Sequence, residues 1–181
     1  MFALLTFFGS LLLVSANNGT GSYRCQPLEA ASTVARELLV VGNRYLYAQH
    51  RFGPPIISEK CWSSSLFLSD YNLLDNSLHH KWTFYDEKGC SRTENVTCST
   101  INYKSKYYSI FHGREIIHTR IAVTPEYIVN YECIGDKYAV EIFTIRKFRD
   151  EKIIQLAIEA ARKVVDLPSP SVNLECNKLV T

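Results

Sequence analysis

The sequence lacks the residue patterns on which most catalytic and metal sites depend. It contains no HExxH motif, no GxSxG motif and no phosphate-binding glycine loop. No CxxC pair or cluster of cysteine and histidine has the spacing of a zinc site. The adjacent His79 and His80 would point to opposite faces of a strand, so they could not hold one ion together. We therefore expect neither an enzyme nor a bound metal or cofactor.

Charge of one sign and repetitive sequence are also scarce. The 181 residues carry a formal net charge of +2, and Lys and Arg form no block. A nucleic-acid surface needs a clustered excess of basic residues, so nucleic acid is not an expected partner. No internal repeat or low-complexity tract is present, and at this length the chain is expected to be one domain with a sizeable core.

The first 16 residues contain no charged side chain and are apolar from Phe2 to Val14. A membrane-spanning helix needs about 20 apolar residues, and this run is shorter. It ends in small residues typical of a cleavage site. Residues 1–16 are therefore predicted to be a secretory signal peptide and residues 17–181 a single barrel domain, which makes the protein extracellular with no membrane span.

Two glycosylation sequons and an even number of cysteines fit a secreted chain. Asn18 and Asn95 begin the sequons, which predicts glycans on surface segments. In an oxidising compartment the cysteines predict three disulfides, and the residues alone leave their pairing open. The six cysteines are Cys25, Cys61, Cys90, Cys98, Cys133 and Cys176.

Alternation of side-chain character predicts about eight short strands. The clearest two are 127–133 and 138–144, joined by a tight turn at Gly135-Asp136. The polar segment 86–97 is expected to be a loop that brings Cys90 and Cys98 close together. The other predicted strands are 44–51, 60–70, 79–85, 101–103, 107–111 and 115–123.

Two helices complete the prediction. Residues 30–41 suit a short helix that starts near Ser32 or Thr33, and apolar residues at three- and four-residue spacing predict an amphipathic helix over about 150–166. Strands in series with one late helix indicate an all-β fold, an eight-stranded antiparallel up-and-down β-barrel with a short N-terminal helix and a C-terminal amphipathic helix. The interior of such a barrel holds one small ligand.

Aromatic residues on the predicted strands are the best indication of function, because those that face inward would line an apolar pocket. The alternation does not show which face is inward. A cationic amine would need buried carboxylates, and Asp70, Glu132 and Glu141 are available, but each is expected to face solvent. An apolar ligand is therefore favoured. The predicted ligand-binding residues are Tyr47, Trp62, Leu66, Trp82, Phe84, Tyr108, Phe111, Tyr131 and Phe143.

These features together resemble the lipocalin family. The likeness rests on the signal peptide, the strand series, the late helix, Tyr131-Glu132-Cys133 before the last hairpin, and Arg146, where lipocalins carry an arginine that covers the closed barrel end. The family's first-strand Gly-x-Trp is replaced by residues 42–45, Gly-Asn-Arg-Tyr, which marks an outlier. Among outliers the chain is similar to the salivary lipocalins of ticks, through Tyr45-Leu46-Tyr47, Lys60-Cys61-Trp62 and Trp82-Thr83-Phe84, and in its long C-terminal helix to the japanin-like type.

The resemblance implies a secreted binding protein of tick saliva. Its barrel would hold a small hydrophobic ligand, a sterol such as cholesterol or a fatty acid, and the protein would modulate host immune and inflammatory responses. Two alternatives stay open: a scavenger of histamine or serotonin, and an inhibitor whose loops, such as 52–57, contact a host immune-cell receptor or complement protein. The resemblance also implies the disulfides Cys25–Cys133, Cys61–Cys176 and Cys90–Cys98.

Overall fold

The computed structural model describes residues 24–55, 61–67, 69, 71–86, 88 and 91–174, without the side chain of Leu66. The predicted signal peptide and several predicted site residues lie outside this part of the chain. These residues are Asn18, Asp70, Cys90 and Cys176.

Eight of the ten strands in the described residues close into one antiparallel barrel. Strands adjacent in the chain pair with each other, and the first barrel strand also pairs with the last. The predicted eight-stranded up-and-down barrel is confirmed. Its strands are β1 (Arg44–Phe52), β2 (Cys61–Leu66), β4 (Ser77–Tyr85), β5 (Ser91–Thr100), β6 (Lys106–Phe111), β7 (Arg114–Val123), β8 (Tyr127–Ile134) and β9 (Lys137–Thr144), and the two short flanking strands are β3 (Tyr71–Asn72) and β10 (Ser171–Asn173).

The N-terminal helix, α1 (Val34–Val41), covers one end of the barrel. It begins after Thr33, one of the two predicted start residues, whose hydroxyl accepts a hydrogen bond from the amide of Arg36 at 3.3 Å. Its buried face joins the core inside the barrel through Val34 and Leu38. Helix α1 ends shortly before β1 begins, so it lies at the end of the barrel where β1 starts. We call this the closed end.

The C-terminal helix, α2 (Glu151–Arg162), packs on the outside of β7, β8 and β9. It begins after Asp150, whose carboxylate accepts hydrogen bonds from the amides of Lys152 and Ile153. Its apolar face forms an outer core with Tyr131 and Val140. The consequence is that β8 and β9 are buried on both faces. Among the described residues, no helix is both long and apolar enough to cross a membrane.

The predicted loop over 86–97 is wrong for most of its length. The segment from Ser91 onward is strand β5, which pairs with β4 from Tyr85 to Ser77. Its outward side chains are polar because that face meets solvent, whereas Val96 and Cys98 point into the core. Asn95 is exposed on this strand, so its sequon is accessible.

The predicted strand over 101–103 is also wrong. These residues form the turn between β5 and β6, in which Asn102 and Tyr103 have positive φ angles of 52° and 54°. A strand requires negative φ, so this segment cannot continue the ladder.

The disulfides follow the family pattern only in part. Cys25 is bonded to Cys133, as the resemblance implies, and this bond ties the segment before α1 to β8. Cys61 is also disulfide-bonded. The Cys61–Cys176 pair stays a prediction, because Cys176 lies outside the described residues. Cys98 is a free, buried thiol, so the predicted Cys90–Cys98 disulfide is wrong. The physical reason is that Cys98 lies near the far end of β5, where each residue advances about 3.3 Å along an extended strand.

We expect the Cys98 thiol to react with iodoacetamide only after denaturation, without any reductant. Burial raises the pKa of this thiol to about 12, so the folded protein presents almost no thiolate. Peptide mass mapping measures the label, and Cys25 and Cys133 serve as internal controls that stay unlabelled. A disulfide-linked peptide containing Cys98 would contradict the assignment.

Candidate functional site

Aromatic rings fill one part of the barrel interior. Trp62 contacts Trp82 and Phe143, with ring centroids 5.3 Å and 4.9 Å away. Phe111 packs on Trp82 at 4.8 Å, and Phe84 stacks on Trp62 at 6.3 Å. All five side chains are buried, so the structure brings five of the predicted ligand-binding residues together. We call them the aromatic cluster.

Tyr131 is not part of this cluster. It lies on the outer face of β8, where its ring packs on Tyr138 at 4.8 Å beneath α2. Its neighbours on either side, Asn130 and Glu132, face the interior instead. The prediction chose the wrong face because both faces of this strand are buried, and alternation alone does not say which one the helix covers.

Tyr47 and Tyr108 also point away from the interior. Both are half-buried on the outer face, and the inward positions are taken by their neighbours Leu46 and Tyr107. The side chain of Leu66 lies outside the described part of the structure. Aromatic side chains on consecutive residues, as in the pair 107–108, carry no signal for the inward face.

The remaining interior holds ionisable side chains. Burying a charge is costly unless it is paired, so such a group is unusual in a small barrel. Each member is at most 7% exposed, and they are the only Asp, Glu, Lys or Arg side chains buried among the described residues. We call them the charged cluster; its members are Glu37, Arg51, Arg120, Glu132 and Glu141.

The strand register explains how the charged cluster comes together. Arg51 on β1 lies opposite Glu141 on β9, and Glu141 lies opposite Asn130 on β8. Asn130 in turn lies opposite Arg120 on β7. Residues directly opposite each other share a face of the sheet, so this row of polar side chains crosses four neighbouring strands and faces the interior.

Glu37 is fully paired at the closed end. Arg120 Nε donates to Glu37 Oε1 at 3.1 Å, and the Tyr107 hydroxyl donates to Oε2 at 2.6 Å. The Arg120 guanidinium also lies over the Tyr107 ring, 5.5 Å from its centroid. Arg146, expected to cover this end, is instead exposed and pairs with Asp150.

Glu132 is bound by neutral groups. Its Oε1 lies 3.0 Å from His118 Nδ1 and accepts a hydrogen bond from the amide of Asn130. The other ring nitrogen of His118 contacts the Ser109 hydroxyl at 3.0 Å. Burial and the nearby Arg120 charge lower the pKa of His118 to about 3, so this imidazole carries no charge at neutral pH. His80 is likewise neutral, because burial lowers its pKa to about 3.

Glu141 is the least satisfied member of the charged cluster. It is fully buried, and among the described residues neither carboxylate oxygen has a hydrogen-bond partner. The nearest cation is Arg51 Nη1, 4.0 Å from Oε1. Burial and the neighbouring Glu132 raise the pKa of Glu141 well above its ordinary value. The expectation that Glu132 and Glu141 face solvent is wrong; Asp70 lies outside the described residues.

Among the described residues, the interior has one more carboxyl group than it has guanidinium groups. Three carboxyls face two guanidiniums, and the two histidines of the interior, His80 and His118, are neutral. At neutral pH the charges balance only if one carboxyl keeps its proton or a further cation enters. The free volume between the two clusters is about 10 Å³, the space of about one water molecule. A ligand must therefore displace side chains to enter.

Known proteins share the fold of this chain but little of its sequence. No protein-family model and no curated protein sequence matches it. It is similar to the solved structure of a biogenic amine-binding protein, with a TM-score of 0.59 and 13% identity over 83% of this chain and 86% of that chain. It is also similar to lobster apocrustacyanin A1, with a TM-score of 0.58 and 12% identity over 86% of this chain and 92% of that one.

At these identities the likeness shows the fold alone. The closed eight-stranded barrel with its C-terminal helix has the lipocalin fold, as the sequence resemblance implied. The finer resemblance to tick salivary and japanin-like lipocalins stays a prediction. Among the described residues, no three His, Cys, Asp or Glu side chains are grouped to hold a metal ion.

We expect Glu141→Gln to become more stable relative to the wild type as the pH rises. A carboxyl whose pKa is raised on folding stabilises the fold at low pH, and this contribution is lost as the pH rises through the folded-state pKa. From about pH 5 to pH 8 the difference in free energy of unfolding should change by up to about 1.4 kcal/mol per pH unit in favour of the variant.

Urea unfolding at each pH measures this difference. The buried histidines titrate in both proteins, so their contribution cancels. Glu159→Gln, an exposed position on α2, is the matched control and should run parallel to the wild type. A difference between Glu141→Gln and the wild type that does not change with pH would show that Glu141 is ionised throughout.

Proposed function

We propose that the barrel binds a small organic cation with an aromatic group, of the kind represented by the biogenic amines serotonin and histamine. The observation that carries this proposal is Glu141: a fully buried carboxyl with no hydrogen-bond partner among the described residues, in an interior with one carboxyl in excess. A ligand ammonium would provide both the missing charge and the missing hydrogen-bond donors.

The aromatic cluster supports the same ligand class. Phe143 lies two residues after Glu141 on β9, and both face the interior; Phe143 in turn contacts Trp62. A ring bound among these side chains would be held by aromatic contacts, and a nearby ammonium would gain a cation–π attraction of about 0.5–2 kcal/mol. A carboxylate beside aromatic faces is the arrangement that a buried cationic amine requires.

The comparisons add support of a weaker kind. One structure with this fold is that of a biogenic amine-binding protein, so the lipocalin barrel has accommodated this ligand class elsewhere. That likeness does not transfer the ligand to this chain. It supports the proposal only by giving an example of this fold whose name includes amine binding.

An apolar ligand, a sterol or a fatty acid, is the second candidate, favoured by the aromatic cluster. It would need more displacement of side chains than a small amine does, because typical ligand pockets have volumes of about 300–1,000 Å³. It would also leave Glu141 without a partner. The two candidates therefore differ in one respect that can be tested, the need for a positive charge.

The biological setting is proposed from the sequence resemblance. The chain would be a secreted, glycosylated binding protein rather than an enzyme, and removal of an amine mediator would modulate a host inflammatory response. A sequon on the exposed side chain of Asn95 and the Cys25–Cys133 disulfide are compatible with secretion. Action through the loop over 52–57 stays a prediction, since residues 56 and 57 lie outside the described structure.

We expect tryptamine to bind and tryptophol to bind much more weakly. Tryptophol has the same ring with a neutral hydroxyl in place of the ammonium, so the pair isolates the contribution of the charge. Titration calorimetry measures both affinities. Intrinsic fluorescence does not suit this pair, because the indole ring of each ligand emits in the same range as Trp62 and Trp82.

The variant Glu141→Gln should lower the affinity for tryptamine at least about tenfold, as loss of a buried charge partner does, and should leave that for tryptophol unchanged. Glu159→Gln on the outside of α2 is the control. Equal affinity for tryptamine and tryptophol, or tight binding of cholesterol or a fatty acid with no response to tryptamine, would contradict the amine proposal and favour an apolar ligand.

A further inference from the structure

We propose that the barrel takes up its cationic ligand in exchange for one proton shared by Glu132 and Glu141, so that acidification releases the ligand. The inference rests on the proposed function, because it requires that the ligand be a cation. It proposes that ligand binding at this site is regulated by pH, because protons compete with the ligand.

The geometry places the two carboxyls as a pair. They stand on the adjacent strands β8 and β9, two residues apart in register, since Glu141 lies opposite Asn130. Both face the interior and are at most 2% exposed. Two buried carboxylates on the same face of adjacent strands cannot both be ionised at low cost unless a cation lies beside them.

Among the described residues, the groups around the pair leave it short of one positive charge. Arg51 faces it from β1, and Arg120 faces it from β7, but Arg120 is already bonded to Glu37 of α1. The other titratable or polar groups that face it are uncharged or weakly acidic: His118 of β7, Asn130 of β8, Tyr107 of β6, Cys98 of β5 and His80 of β4.

Charge balance then fixes the exchange. In the unliganded barrel, two guanidiniums balance Glu37 and one carboxylate of the pair, and the second carboxyl keeps its proton. In the loaded barrel, two guanidiniums and the ligand ammonium balance three carboxylates. The O–H bond of the protonated carboxyl breaks as the ammonium enters, and the proton passes to the buffer. One cation is bound for one proton released, and no redox step is involved.

The titration of the surrounding groups supports this assignment. Burial raises the pKa of both Glu132 and Glu141, and each charge raises the cost of ionising the other, while Arg51 and Arg120 oppose the shift. The two histidines of the interior do not compete for the proton, because burial lowers the pKa of His80 and His118 to about 3. The carboxyl pair is thus the group in the interior that exchanges a proton near neutral pH.

The experiment is calorimetric titration of the full mature protein with serotonin. Serotonin is preferred to histamine because an imidazole titrates in the same pH range and would confuse the proton count. Measurements at pH 7.4 in phosphate and in Tris, whose ionisation enthalpies differ, yield the number of protons released. Measurements from pH 5 to pH 8 yield the pH dependence of the affinity.

We expect release of about one proton per serotonin bound below the apparent pKa of the pair, with affinity that falls about tenfold for each pH unit of acidification. Glu141→Gln removes the exchangeable proton, so its residual binding should be weaker, release few protons and depend little on pH. Glu159→Gln should reproduce the wild-type proton number.

The outcomes separate this inference from the proposed function. Tight serotonin binding with no proton released and with affinity independent of pH would overturn the exchange while leaving an amine-binding barrel. Absence of serotonin binding in every buffer and at every pH would overturn the proposed function, and the exchange with it. Release of the same proton number by Glu141→Gln as by the wild type would also overturn the assignment to this carboxyl pair.

Discussion

The burial of three carboxyl groups with two guanidinium groups, counted over the described part of the chain, is the constraint on which the rest of the structure depends. A charge inside a protein is tolerated only when other charges and hydrogen bonds replace the water it has lost. Glu37 meets that condition through Arg120 and Tyr107, and Glu132 meets it in part through Asn130 and His118. Glu141 does not, and the interior therefore has a built-in preference for one more positive charge.

The two helices create this environment from outside the sheet. Helix α1 closes one end of the barrel and carries Glu37, which engages Arg120, the guanidinium that would otherwise serve the carboxyl pair. Helix α2 covers the outer face of β8 and β9, and apolar side chains take up that face. The polar residues of these strands are left with the barrel interior as their only position, out of contact with water. The side chains on the inner surface of this barrel are therefore set by what covers its outer surface.

The barrel could be predicted from the sequence because its strands show side-chain alternation and its α2 segment shows helical spacing, both of which are local signals. The inward face of the strands beneath α2 could not be predicted, since it depends on where α2 packs. Tyr131 illustrates the limit: it looked like a pocket residue, whereas its neighbours Asn130 and Glu132 hold that place. One pattern in the sequence could have predicted the inward face of β8. Its polar residues lie on one face and apolar residues on the other, and the amphipathic helix that follows needs an apolar face to cover. The predicted Cys90–Cys98 disulfide was wrong for a different reason. Residues that are close in sequence do not come together along an extended strand.

A crystal structure of the protein with bound serotonin would test the central claim most directly. The account predicts the indole ring among Trp62, Trp82 and Phe143, and the ammonium nitrogen within about 3 Å of a Glu141 carboxylate oxygen, in the range of charge-assisted hydrogen bonds. Serotonin bound outside the barrel, or inside it with its ammonium turned away from Glu132 and Glu141, would contradict the claim that the carboxyl pair is built to receive a cation.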